Sequence, residues 1–211
     1  MDPAELLPVL EAVEKEYDLG SGFLLRLYQE DDWSFVVKAH ALIEAATSQL
    51  LTHHTGDARL ARVFERLELS NTQVGRLAFL KALDLLSDRE RGFVRHFSEL
   101  RNRLVHNVHS VRFRFADDLA AMNSQQNAAF AEWASSFVEK SSEGREWWRT
   151  TALESPKHTL WVATVFVVVS CLRQTRAARE RHDRIDRALD VLQASGLEEE
   201  DRDETNFDDV T

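Results

Sequence analysis

The sequence predicts an all-α fold, a bundle of about six helices, on three observations. Only seven glycines and three prolines punctuate 211 residues, too few for a turn-rich β fold. Apolar residues recur at spacings of three and four along most of the chain. Capping residues stand where those periodic stretches begin. With 44% hydrophobic and 29% charged residues, a folded core is expected, in one domain over residues 1–196.

The first helix is announced by Asp2 as cap and Pro3 at the first helical position, where a missing N–H costs nothing. Leu6, Leu7, Leu10 and Val13 share one of its faces, and "DLGSG" (18–22) ends it. A second helix spans residues 31–52 with acids at its positive dipole end; apolar around much of its circumference, it should be central. A short helix follows over 58–67, and another over 72–86 with Asn71 as cap. Ser87 and Glu90 form a capping box for a helix over 88–107. On that helix Phe93, Phe97, Leu100 and Leu104 make one buried stripe.

"VRFRF" (111–115) alternates apolar and basic residues and reads as a short extended segment. Helical pattern resumes over 117–140, and residues 141–157 read as a long connection whose Trp147 and Trp148 pack on the bundle. Ser155–Pro156 opens the last helix. Its apolar run "LWVATVFVVVSCL" (160–172) would cover about 20 Å, short of the roughly 30 Å hydrocarbon layer, so it predicts a buried core helix and no membrane span. Its five valines leave a buried strand as the alternative.

The net charge of −10 is concentrated at the ends: −5 over residues 1–20 and −7 over 197–211, leaving the body at about +2. The last segment is expected to be a disordered acidic tail, able to lie over a basic groove as a polyanion mimic. A single cysteine, Cys171, excludes an intrachain disulfide and suits a reducing compartment. Together with the acidic, amphipathic opening segment it leads to the expectation of a cytoplasmic protein. Within its apolar run Cys171 reads as inert packing. No Gly-rich phosphate loop, serine nucleophile elbow or paired-carboxylate motif occurs. The pairs His53–His54 and His106–His109 lack the partners of a zinc site, so neither metal nor cofactor is expected.

The densest cluster of polar side chains is "ELRNRLVHNVHS" (99–110). Arg95, Glu99, Asn102 and His106 form a polar stripe beside the buried one, whereas Arg101 lies about 140° from His106 around the helix. An arginine, an adjoining polar residue and a histidine four to six positions on resemble the motif of the HEPN superfamily, here Arg101, Asn102 and His106. Residues 75–117 and 33–51 resemble the mannitol-repressor-like branch of that superfamily.

The resemblance implies a HEPN-like helical bundle and metal-independent RNA cleavage, in which a 2′-hydroxyl attacks the adjacent phosphodiester. It further implies a homodimer through the motif helix, with RNA as substrate and an antitoxin or regulatory protein as a further partner. His106 would transfer protons, since histidine alone titrates near neutrality unperturbed. Arg101 would stabilise the phosphorane and Asn102 would position the groups. Arg95, Arg103, His109, Arg112 and Arg114 are candidates for substrate binding.

Plainer readings stand beside these. His106 could bond the last helix carbonyls, and Arg101 could pair with an acid on a neighbouring helix. His40 and Glu44, four apart, could form a buried pair or a contact supporting the motif. Arg112 and Arg114 beside Phe113 could stack bases or simply face solvent. The six arginines over 173–187, interleaved with acids, read as a solvated face or an RNA-guiding surface. The mannitol-repressor-like branch also contains regulators, so a non-catalytic regulator or adaptor is the alternative function.

Overall fold

In the computed structural model, the backbone is described for residues 3–139 and 144–204, and the side chains for 6–139 and 144–193. The fold is all-α, with no strand among the described residues. The described residues form ten α-helices: α1 (Pro3–Glu16), α2 (Phe23–Gln29), α3 (Asp32–Thr55), α4 (Ala61–Arg66), α5 (Arg76–Ala82), α6 (Asp88–Val105), α7 (Phe115–Ala121), α8 (Ser124–Ala134), α9 (Gly144–Glu154) and α10 (Pro156–Glu204). Short 3-10 turns precede α4 and α7.

The count exceeds the expected six for identifiable reasons. The pattern over 117–140 is split at Met122, because Asn123 and Gln126 form a second capping box that starts α8. α9 occupies the expected connection, pinned by the buried Arg145, whose guanidinium donates to the carbonyls of Ser135 and Val138 and to Glu132. Trp148 packs on Phe137 and His158, whereas Trp147 stays 59% exposed. α2 is capped from outside its own segment: the buried Glu14 carboxylate of α1 accepts the N–H groups of Gly22 and Leu24. α5 stops short of residue 86 because Asp84 and Leu86 take left-handed backbone, although Leu85 and Leu86 are still buried.

The core lies between α3, α6 and α10. Phe35, Ile43 and Leu50 of α3 meet Phe93 and Phe97 of α6 and Leu160 and Val168 of α10, all within one buried cluster. α3 and α10 run side by side. Asp32 at the start of α3 pairs with Lys157, and Gly56 after its end lies against His182. Gly56 closes α3 in the left-handed region (φ 69°), and a Cβ there would meet the His182 ring at 2.8 Å. α10 is the one described helix long and apolar enough to cross a membrane, yet 56% of its most apolar window is buried inside the bundle. It is the core helix expected for residues 160–172, and burial pushes the Cys171 thiol up, as inert packing requires. Its backbone is helical to Glu204, into the segment expected to be a disordered tail. Residues 205–211, and the tail's side chains, lie outside the described residues.

Candidate functional site

α6 is positioned from both ends and along its length. At its start Ser87 and Glu90 cap each other. Along its buried face Phe93 and Phe97 stack with centroids 5.4 Å apart. In mid-helix Ser98, 1% exposed, donates its hydroxyl to Val94 O and lies 3.0 Å from His40 Nε2 of α3. With the Ser98 proton already donated, the hydrogen between the two groups belongs to His40 Nε2.

His40 Nδ1 in turn faces Glu44 Oε2 at 3.5 Å, a long polar contact. The other Glu44 oxygen takes a 2.8 Å bond from Arg76 of α5. Arg76, 3% exposed, also donates to Ser48 Oγ and to the carbonyls of Glu44 and Leu67. His40 Nδ1 finds no hydrogen-bond partner among the described residues and Glu44 is part-exposed, so the two do not form a buried hydrogen-bonded pair. The contact supporting the motif helix is present, at Ser98. Arg76, Glu44, His40 and Ser98 lie along one line of polar contacts. Ser98→Ala should strand the buried His40 donor and lower stability by about 1–3 kcal/mol in chemical denaturation. A loss below about 0.5 kcal/mol would show that the bond carries no weight.

The Glu44 carboxyl is held below the usual carboxylate range, first by the contact with His40. The charges of His40, Arg76 and Arg101 act in the same direction, against partial burial. Because the folded value is depressed, this stabilisation is complete above the unfolded value of about 4.3 and is lost as pH falls through the folded one. Glu44→Gln should therefore lose less stability than the wild type between about pH 6 and pH 3, read from urea midpoints at each pH. Parallel curves would exclude the linkage.

Of the motif residues, Arg101 is half-buried. It donates from one terminal nitrogen to Asn102 Oδ1 at 3.0 Å, and its buried Nε has no hydrogen-bond partner. Among the described residues no acid forms a direct ion pair with it; its charge is felt at Glu44 only at longer range. His106 caps α6 in helical backbone, φ −81° and ψ −4°, with its N–H on Asn102 O. Its imidazole is exposed, and among the described residues no hydrogen bond or ion pair engages it, the last carbonyls of α6 included.

The helical register thus survives through His106. Within one chain the Arg101 and His106 side chains leave α6 on faces about 140° apart, with Asn102 between them.

The candidate binding residues divide. Arg95 is exposed beside His96 and Glu99 on the solvent face of α6. Arg103 is held by the structure: both its terminal nitrogens bond Asp118 of α7, at 2.6 and 2.7 Å, and its guanidinium lies 6.0 Å from the Phe113 ring. Asp118 pushes the Arg103 guanidinium pKa up, so its role is to clamp α7 onto α6 rather than to stand free for a substrate. His109 is exposed in the 3-10 turn Val108–Arg112, which Asn107 caps by accepting its N–H.

That turn corrects the extended reading of 111–115: Val111 and Arg112 close it, and only Phe113 and Arg114 are extended before α7 begins. The alternation survives where it matters. Phe113 and Phe115 turn inward with centroids 5.0 Å apart, and Arg112 and Arg114 face out. These two arginines, free of ion pairs among the described residues, line an open cavity of about 370 Å³ with Asp31, Asp32, Val111 and Phe113.

The arginines of α10 are partly engaged. Arg176 and Arg179 pair with Glu16, Arg179 also meets His53, and Arg184 and Arg187 bond carbonyls of their own helix. Among the described residues no three His, Cys, Asp or Glu side chains converge as metal ligands.

Sequence reasoning missed Ser98, Arg76 and Asp118. Ser98 had a local signal, a polar residue beside the buried stripe of α6; the partners of the other two are set by tertiary packing. Compared with protein-family models, curated proteins and solved structures, the chain matches none.

Proposed function

We propose that this chain is a metal-independent endoribonuclease of HEPN type. It would act in the cytoplasm as a homodimer whose motif helices meet, as a toxin or phage-defence effector restrained by an antitoxin or regulatory protein. The observation that carries the reading is that, among the described residues, neither Arg101 nor His106 forms an ion pair, and Arg101 is bonded within the motif itself, to Asn102. Arg101 keeps a buried, unpartnered Nε and His106 a free, exposed imidazole, while the neighbouring Arg103 is fully engaged.

In the reaction the 2′-oxygen forms a bond to phosphorus as its proton passes to a base. The bond from phosphorus to the 5′-oxygen breaks, and that oxygen receives a proton. His106 serves proton transfer, Arg101 the phosphorane charge, and Asn102, bonded to Arg101 and one turn from His106, holds the two in register. Arg112 and Arg114 are the open cations for the RNA backbone, beside the exposed His109 and Arg95, the latter shared with Glu99. The 140° divergence within one chain favours a site completed by the second copy.

The test is RNA cleavage in EDTA by the purified chain, with products ending in 2′,3′-cyclic phosphate and lost in Arg101→Ala and His106→Ala. The second reading, a non-catalytic regulator or adaptor, draws support from the engagement of Arg103 by Asp118, which ties the motif helix into the scaffold. RNA left intact in that assay by wild-type protein would favour it.

A further inference from the structure

The C-terminal ends of α1 and α3 are joined to α10 through a cluster of histidines and arginines. His53 and His54 occupy the last turn of α3, both half-buried, and His182 of α10 lies over Gly56, where α3 ends. Arg179 of α10 donates to Glu16 of α1 at 2.6 Å and to His53 Nε2 at 2.9 Å. Arg181 donates to the carbonyl of His54, and Arg176 lies 3.7 Å from the other Glu16 oxygen. One stretch of α10, residues 176–182, thus holds both neighbours at this end.

The bond to His53 exists in only one charge state. A guanidinium has N–H donors and no acceptor, so the ring nitrogen it meets at 2.9 Å must present a lone pair. Neutral imidazole supplies one. Imidazolium, with an N–H at both nitrogens, sets donor against donor and cation against cation. Burial holds the His53 and His54 rings below the usual imidazole range. Arg179 acts in the same direction on His53, Arg181 on His54, and His182 on both.

Against this stand Glu16, 14% exposed and already shared by Arg176 and Arg179, and the negative end of the α3 dipole. Asp57, which follows Gly56, is bonded to Arg59. Glu44 and Glu65 line the open cavity of about 420 Å³ that His53 borders, and Glu180 and Asp183 are exposed on α10.

We propose that this cluster is a pH-sensitive latch, which fastens α10 to α1 and α3 while its histidines are neutral and releases residues 176–182 when they are protonated. The sign follows from linkage. Because the folded values are depressed, the latch is complete above the unfolded value of about 6.5 and is lost as pH falls through the folded ones. The inference does not rest on the ribonuclease reading.

Hydrogen exchange of the full chain at about pH 7.5 and about pH 5.5, corrected for the intrinsic rates, tests it. Amides of residues 50–56 and 174–182 should lose protection about fivefold or more at the lower pH. In His53→Gln/His54→Gln/His182→Gln the new amide at position 53 can still accept from Arg179 but does not titrate. That variant should exchange alike at both pH values, to within about twofold. Equal protection of the wild type at the two pH values overturns the latch, and so does a pH response that the triple variant keeps. Should the variant be loose at both, the wild-type imidazole titration followed by NMR decides. A His53 midpoint at or above about 6.5 overturns the proposal, and one below it, together with the wild-type loss of protection, upholds it.

Discussion

His106→Ala should reduce metal-independent RNA cleavage by about 10²–10⁴-fold, the span lost when a positioned proton-transfer group is removed. The change should leave stability within about 0.5 kcal/mol, because the exposed imidazole has no partner among the described residues. Arg101→Ala should give a comparable loss, and Arg101→Lys should recover little of it, since a point charge does not reproduce the planar fork at a phosphorane.

The divergence of the two side chains makes the sharper result. If Arg101 of one protomer acts with His106 of the other, the two inactive variants complement each other. Half of randomly mixed dimers are heterodimers with one intact site, so about a quarter of wild-type activity should return on mixing. Mixing that restores nothing, with both single variants inactive, would confine the site to one chain and contradict the 140° separation. Variants that cut RNA as fast as wild type would remove Arg101 and His106 from catalysis altogether.

Legibility in the sequence followed the range of the interaction. Ser87 and Glu90 are three residues apart, and the capping box is present with both bonds. The Phe93–Phe97–Leu100–Leu104 stripe is a one-helix property, and all four are buried. α2 was invisible because its cap is Glu14, a residue of the preceding helix, and Gly22 offers no side chain to announce it. α9 was hidden for a similar reason: its anchor is Arg145 reaching the end of α8, and its approach is rich in serine and glycine.

The candidate site shows the same division. Arg103 reads as a free cation until Asp118, fifteen residues on, is folded against it. The direction of Arg101, by contrast, followed from 100° per residue and needed no tertiary information.

Arg76→Ala should lower stability by about 3–5 kcal/mol, the largest loss expected of a single change along this line of polar contacts. Four acceptors converge on that one guanidinium: Leu67 O, Glu44 O, Ser48 Oγ and Glu44 Oε1. Removing it leaves buried acceptors unsatisfied and Glu44 without its 2.8 Å partner, a cost larger than the net worth of the pair when formed. The asymmetry gives a double-mutant test. Arg76→Met with Glu44→Leu should be less destabilised than Arg76→Met alone, because the orphaned carboxylate disappears along with its partner. Strict additivity would show that the ion pair contributes nothing specific. The consequence also travels. Glu44 faces His40, and His40 Nε2 meets Ser98 one turn before Arg101. In the folded fraction of Arg76→Ala the motif helix should therefore lose a fixed contact with α3. Any RNA cleavage should fall further than the loss of folded protein alone accounts for. A decline matching the folded fraction would confine Arg76 to the scaffold.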